Sequence, residues 1–284
     1  MQANLYALGA IALWAMLASL GVSLQHVPPF LLTGLALIIG SLLALPFVIR
    51  DRRQWAVAPH TLGLGVFTLF GFHFLLFMGL RLAPAVEVNL VNYLWPLFIV
   101  VLAPLYLPGT RLRGAHVVAA LLGFAGAAMA ILGGRESAGP AWGAGWGYLL
   151  ALGSALIWAN FSLQTKRATL RGEGFPSAAI GLFGLVSGLL SLLCHWALEP
   201  TASLDLRDAL LLALMGLGPL GAAFFLWDKA LKLGDARQIG ILSYLTPLAS
   251  TALLVLVSGR PLSWSIGLAA LMIIGAAMLG TRIK

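Results

Sequence analysis

The chain has 284 residues, 61% of them hydrophobic and only 9% charged, with a formal net charge of +8 and a mean hydropathy of +0.98. A water-soluble domain carries about 25% charged residues, so this much apolar surface requires lipid as its solvent and excludes a soluble fold. The positive charge sits in short clusters between apolar runs, the arrangement of topology signals and not of a nucleic-acid footprint, so nucleic acid is not expected as a partner.

A bilayer is crossed by roughly 20 apolar residues in a helix. Ten such segments follow one another, at about 3–23, 30–49, 61–80, 85–107, 114–133, 145–165, 175–197, 208–228, 236–257 and 262–281. The expected fold is an all-α membrane protein of ten transmembrane helices. Residues Met1 to Val22 lack the basic n-region of a signal peptide and read as a retained first helix. The third segment carries His73, which can bind a ligand or respond to pH; a hydrogen-bonded structural histidine is the alternative. The fourth segment reads AVEVNLVNYLWPLFIVVLAPLYLP over Ala85–Pro108. At about 100° per residue, Asn89, Asn92, Tyr93 and Pro96 share one face. Polar groups on one stripe of a spanning helix face other helices or a wet cavity, and the carbonyls freed by Pro96 need the same surroundings. Glu87, at the start of this segment, is a candidate proton carrier. Gly184 and Gly188 in the seventh segment form a small-xxx-small pair suited to close helix packing. The turn-forming runs Pro28-Pro29, Pro108-Gly109, Gly133-Gly134, Gly172-Glu173-Gly174 and Gly259-Arg260-Pro261 separate segments.

Taken alternately, one set of connections and ends holds 13 of the 17 Lys and Arg residues and the other holds Arg81, Arg135, Arg207 and Arg260. The positive-inside rule then puts both termini in the cytoplasm. Trp55, Trp142, Trp146, Trp196, Trp227 and Trp264 lie at or near segment ends, where an interfacial belt accounts for them. Trp14, Trp95 and Trp158 lie deep, where an indole N–H wants a partner, and are the better site candidates. Cys194 has no partner for an intrachain disulfide.

The chain repeats itself. Ala7–Met16 reads ALGAIALWAM and Ala151–Asn160 reads ALGSALIWAN; Val91–Leu97 reads VNYLWPL and Leu242–Leu248 reads LSYLTPL. Segments one to five thus correspond to six to ten, dividing the chain into 1–143 and 144–284. Five is odd, so the second half enters the membrane from the opposite side. Such inverted-topology repeats place a transporter's site near the midplane, around a central cavity between the halves.

With its ten segments, five-plus-five repeat, ALGAIALWA and LIWAN, the chain resembles the drug/metabolite transporter superfamily in its EamA branch. EVNLVNYLWP, SYLTPL and LIWANFSLQTK sharpen the resemblance. It implies a basket of helices around a cavity alternately open to each side of the bacterial inner membrane, and export of amino acids with aromatic ones favoured. The matching positions are Asn92, Tyr93, Trp95, Pro96, Trp158, Ser243, Tyr244 and Pro247; His73 departs from an expected aromatic.

The residues themselves suit a neutral or zwitterionic aromatic ligand. Trp95, Trp158, Tyr93 and Tyr244 offer flat walls, while Asn92, Asn160, Ser243 and backbone freed near Pro96 and Pro247 offer polar contacts. Helix packing is the alternative for each ring. The central thirds of the segments hold no Lys or Arg, which disfavours a phosphorylated or strongly anionic cargo. A carrier of another neutral metabolite or drug is the competing reading. An intramembrane enzyme is a weaker one, since the five histidines form no HExxH-like pair and no acid pair lies inside a segment. No Walker motif, metal site or cofactor motif is present. The expected partners are membrane lipid and a small-molecule substrate, with the chain acting as a monomer.

Overall fold

The computed structural model describes residues 1–132, 144–258 and 264–282, with no strand among them. Nine described helices are long and apolar enough to cross a membrane. They are α1 (Gln2–Ser23), α2 (Pro29–Arg50), α3 (Pro59–Leu82), α4 (Ala85–Tyr106), α5 (Gly114–Leu132), α6 (Gly145–Leu170), α7 (Ala179–Leu198), α8 (Leu206–Leu233) and, last in the chain, α10 (Trp264–Arg282). Between the last two lies α9, residues 236–258, made of two helices, Ala236–Leu242 and Leu245–Ser258. The turns expected at Gly133-Gly134 and Gly259-Arg260-Pro261, the 143/144 boundary, Arg135 and Trp142 lie outside the described residues.

The observed helices follow the predicted segments except at certain ends and breaks. Helix α6 continues through Lys166 and Arg167 to Leu170, and α8 continues through Asp228 and Lys232 to Leu233. Hydropathy stops at a charge, whereas a helix stops only when its backbone bonding stops. One reading is corrected as a result: Trp227 does not belong to an interfacial belt but is 1% exposed, inside the bundle. Trp146, Trp196 and Trp264 are largely exposed, as a belt requires. Helix α4 breaks at Tyr93-Leu94, just before Pro96, and α9 breaks at Ser243-Tyr244, just before Pro247. A proline lacks the N–H that would reach back four residues, to Asn92 and Ser243 respectively. Helix α8 carries a π-helical turn over Gly218–Ala222, which its sequence, GPLGA, makes easy to form.

The helices pack in a regular set of pairs: α1 on α8, α2 on α7, α3 on α6, α4 on α9 and α5 on α10. Adding five to each helix number, and counting round, returns the same set. Small residues allow the closest approaches. A Cβ on Gly188 of α7 would lie 2.8 Å from the carbonyl oxygen of Gly34 in α2, so α2 and α7 meet backbone to backbone there. Gly40 of α2 likewise abuts Gly216 and Gly221 of α8, where an added Cβ would come 2.7 Å from Gly216 O.

Polar clusters close the two ends. At one, Glu199 (side chain 1% exposed) caps the start of α2. Its carboxylate accepts from the N–H of Phe30 (3.0 and 3.1 Å) and Leu31 (3.2 Å) and pairs with Arg81 (3.3 Å) and His195 (3.0 Å). Pro28 and Pro29 have no N–H, so these two bonds satisfy the donors left open at that helix start. At the same end His26 pairs with Asp208, 3.0 Å away. At the other end, Lys232 and Asp228 of α8 meet Phe175 and Ser177 of the α6–α7 connection, and Arg237 joins Asp235 to the Arg111 carbonyl. Connections therefore group by alternation, as a chain that crosses back and forth requires.

Candidate functional site

The break in α4 turns Trp95 inward as the first residue of the lower half-helix. It is buried and meets Trp158 of α6 edge-on, ring centroids 6.4 Å apart. Trp14 of α1 completes a triangle, 6.4 Å from Trp95 and 5.9 Å from Trp158. Helix α8 adds Trp227, 5.4 Å from Trp95 and 5.2 Å from Trp14, and Phe224, 5.5 Å from Trp158. Phe72 of α3 lies 5.6 Å from Trp158 on another side. Five helices thus each contribute at least one ring to one aromatic cluster near the middle of the bundle.

The four indoles differ in their polar edges. Trp14 Nε1 donates to Pro219 O (3.1 Å), a carbonyl of the π-helical turn in α8. Trp227 Nε1 donates to Ser162 Oγ (3.2 Å). Trp95 and Trp158 donate to nothing among the described residues, so their N–H groups remain available while their faces are packed. A buried indole N–H ordinarily finds an acceptor.

The remaining expected residues fall around this cluster in distinct ways. Asn92 Oδ1 lies 2.8 Å from Ser154 Oγ, and Asn160 Oδ1 accepts from the Tyr106 hydroxyl (2.9 Å). Both bonds join α4 to α6 and hold Trp95 opposite Trp158. His73 is buried, and its Nδ1 lies 2.6 Å from Leu69 O in its own helix. A carbonyl only accepts, so Nδ1 of His73 carries a proton and donates to it. Its ring is 5.1 Å from that of Phe72, which separates it from Trp158. Tyr93 is half-buried, and its side chain makes no hydrogen bond or ring pair among the described residues. Ser243 Oγ donates to Gly240 O (2.6 Å) within α9. Tyr244 is fully buried against α5, its ring pressed on Gly123 and 6.5 Å from Phe124, in a cluster apart from the tryptophans. Glu87 is half-buried, with Oε2 enclosed and unpartnered.

The structure brings Trp95 and Trp158 together and adds Phe72, Phe224 and Trp227, which sequence reasoning did not place in the site. For Trp227 the usable signal was helical spacing: it follows Phe224 by three residues, on the same face.

Comparison with known proteins gives the relationship. The EamA-like transporter family matches residues 1–132 and 145–281. A protein of Ancylobacter novellus named aromatic amino acid exporter YddG is 38% identical over 99% of this chain and 97% of its own. One of the same name from Salmonella typhimurium is 28% identical over 98% and 96%. A solved crystal structure of a protein superposes with a TM-score of 0.92 at 38% identity, covering 98% of this chain and 96% of that one.

Proposed function

Because the chain belongs to the EamA-like transporter family and is a multi-pass membrane protein, we propose that it is a secondary carrier exporting amino acids, aromatic ones favoured, by alternating access. The observation that carries the reading is the tryptophan cluster, with its two unused indole donors. Rings at 5 to 7 Å form a wall onto which another flat ring can stack, at about 0.5–1.5 kcal/mol per pair. Binding of that size permits release, which a carrier needs. The relatives named above are called aromatic amino acid exporters, which supports the same cargo here.

The architecture proposed for this activity is two inverted five-helix halves, ten crossings in all, with α9 as the partner of α4. Support comes from the helix pairs that map onto one another when halves are exchanged, from the matched breaks before Pro96 and Pro247, and from the two stretches matched by the family. Thirteen of 17 basic residues on one set of connections and ends favour cytoplasmic termini in a bacterial inner membrane. The protein acts as a monomer, since each half supplies rings to the same cluster.

Purified protein in liposomes is expected to move labelled Phe, Tyr and Trp, saturably and in mutual competition. Absence of flux for every amino acid would remove the proposal, and a neutral metabolite that competes better would replace the cargo. Glu87 is the proposed proton carrier. In the same vesicles Glu87→Gln is expected to abolish the response of flux to an imposed pH gradient; an unchanged response takes Glu87 out of the proton path.

A further inference from the structure

We propose that Asp228 and Lys232, with Ser177 and Phe175, form a latch that must part before the tryptophan cluster opens toward the end where α8 meets the α6–α7 connection. The inference rests on the alternating-access reading above. Asp228 is 1% exposed. Its Oδ2 accepts from Ser177 Oγ and from Lys232 Nζ, the latter at 2.6 Å. Lys232 Nζ also donates to Phe175 O (2.8 Å), lies 3.3 Å from Ser177 Oγ, and sits 4.4 Å over the Phe175 ring. Two of the ammonium's three donors are thereby directed at the α6–α7 connection and the third at Asp228.

This cluster differs in kind from the one at the opposite end. Both oxygens of Glu199 are engaged, by two backbone N–H groups, Arg81 and His195. Asp228 uses only Oδ2, while Oδ1 is enclosed with no partner. A carboxylate held on both oxygens gives up more bonds when its partners move away. One held on a single oxygen has less to lose.

The latch is joined to the cluster on both sides. Trp227, next to Asp228, meets Trp95 edge-on and packs tilted against Trp14. Phe175, under Lys232, stacks on Phe161 (6.4 Å), and Phe161 stacks on Trp158 (6.1 Å). The helix Ala223–Leu233 therefore carries Phe224 and Trp227 of the cluster together with both charged latch residues. It is separated from the Asp208-anchored start of α8 by the π-helical turn Gly218–Ala222, the kind of local irregularity at which a helix bends. Bending there swings two rings of the cluster and the latch as one piece. Ligand stacked against Trp95 and Trp158 would displace Trp227, and with it the latch.

The first arm of the test needs no substrate. In a Cys194→Ser background, Leu163→Cys places a thiol at a fully buried site in the lower half of α6. Its rate of reaction with an impermeant maleimide, added in reconstituted vesicles from the latch side, is expected to rise about ten-fold or more in Asp228→Asn and in Lys232→Gln. Lys232→Arg, which keeps the charge and the donors to the Phe175 carbonyl and Asp228, is expected to retain protection. Unchanged labelling in both single variants overturns the latch. A second arm guards against misfolding. With Ser177→Cys and Asp228→Cys, oxidation is expected to stop amino acid flux and reduction to restore it; flux that persists in fully cross-linked protein also overturns the latch. A wild-type protein that moves no amino acid at all defeats the carrier reading instead, and the labelling arm still decides the latch.

Discussion

Trp158→Ala is expected to reduce tryptophan flux in liposomes about 30-fold or more, with Trp158→Phe far milder. The ring of Trp158 meets six others, Trp14, Phe72, Trp95, Phe161, Phe224 and Trp227. No other side chain in the cluster touches so many. Removing it takes away a wall for the ligand and lets the neighbours collapse into the space. A loss of about 2 kcal/mol in substrate binding corresponds to about 30-fold. Phenylalanine keeps a flat wall and discards only the indole N–H, which separates stacking from hydrogen bonding. Equal loss in both variants would make the N–H the main contact. Wild-type flux in Trp158→Ala would place the cargo elsewhere. Size-exclusion profiles of the variants distinguish lost binding from lost fold.

The second large effect concerns the far end of the bundle and stability. Glu199→Ala is expected to lower unfolding free energy by about 3 kcal/mol, read as a fall in the denaturation midpoint in detergent. The substitution strips the partners of Phe30 N–H, Leu31 N–H, Arg81 and His195 at once. An enclosed donor left without an acceptor carries its full desolvation penalty. Glu199→Gln is expected to cost roughly half as much, because its amide oxygen still accepts from the helix start while its NH2 faces the arginine. If Glu199→Ala unfolds at the wild-type midpoint, water replaces the carboxylate and the cap is dispensable.

Much of this structure was legible in the residues. Twenty-residue apolar runs gave the helices, because a bilayer leaves few other ways to satisfy a backbone. Pro96 and Pro247 marked the breaks in α4 and α9 correctly, since a missing N–H is a local fact. What escaped was whatever depends on a neighbour. The face of Tyr244 on its own helix was readable, but not that this face meets Gly123 of α5. Ser243, a candidate polar contact in the sequence, donates its hydroxyl to Gly240 O within its own helix. Asn92 and Asn160 were read as ligand contacts, and in this structure each is bonded to a residue on the facing helix. Trp227 was assigned to the membrane surface because the apolar run ended beside it, although the helix went on for another six residues. Asp228, outside every sequence-level motif, gained meaning only from Lys232 and Ser177 beside it.

Where Gly40 touches Gly216 and Gly221, two main chains rest against each other with no side chain between them. That contact borders the π-helical turn of α8, and α2 is itself tied down by Glu199. If the lower part of α8 swings as proposed for the latch, this crossing is its fulcrum, with α2 and α7 as the frame it moves against. Under that motion, substitutions at Phe224 and Trp227 would alter the rings on the arm without touching the pivot, whereas a methyl group added at Gly40 would come 2.7 Å from the Gly216 carbonyl oxygen and obstruct it.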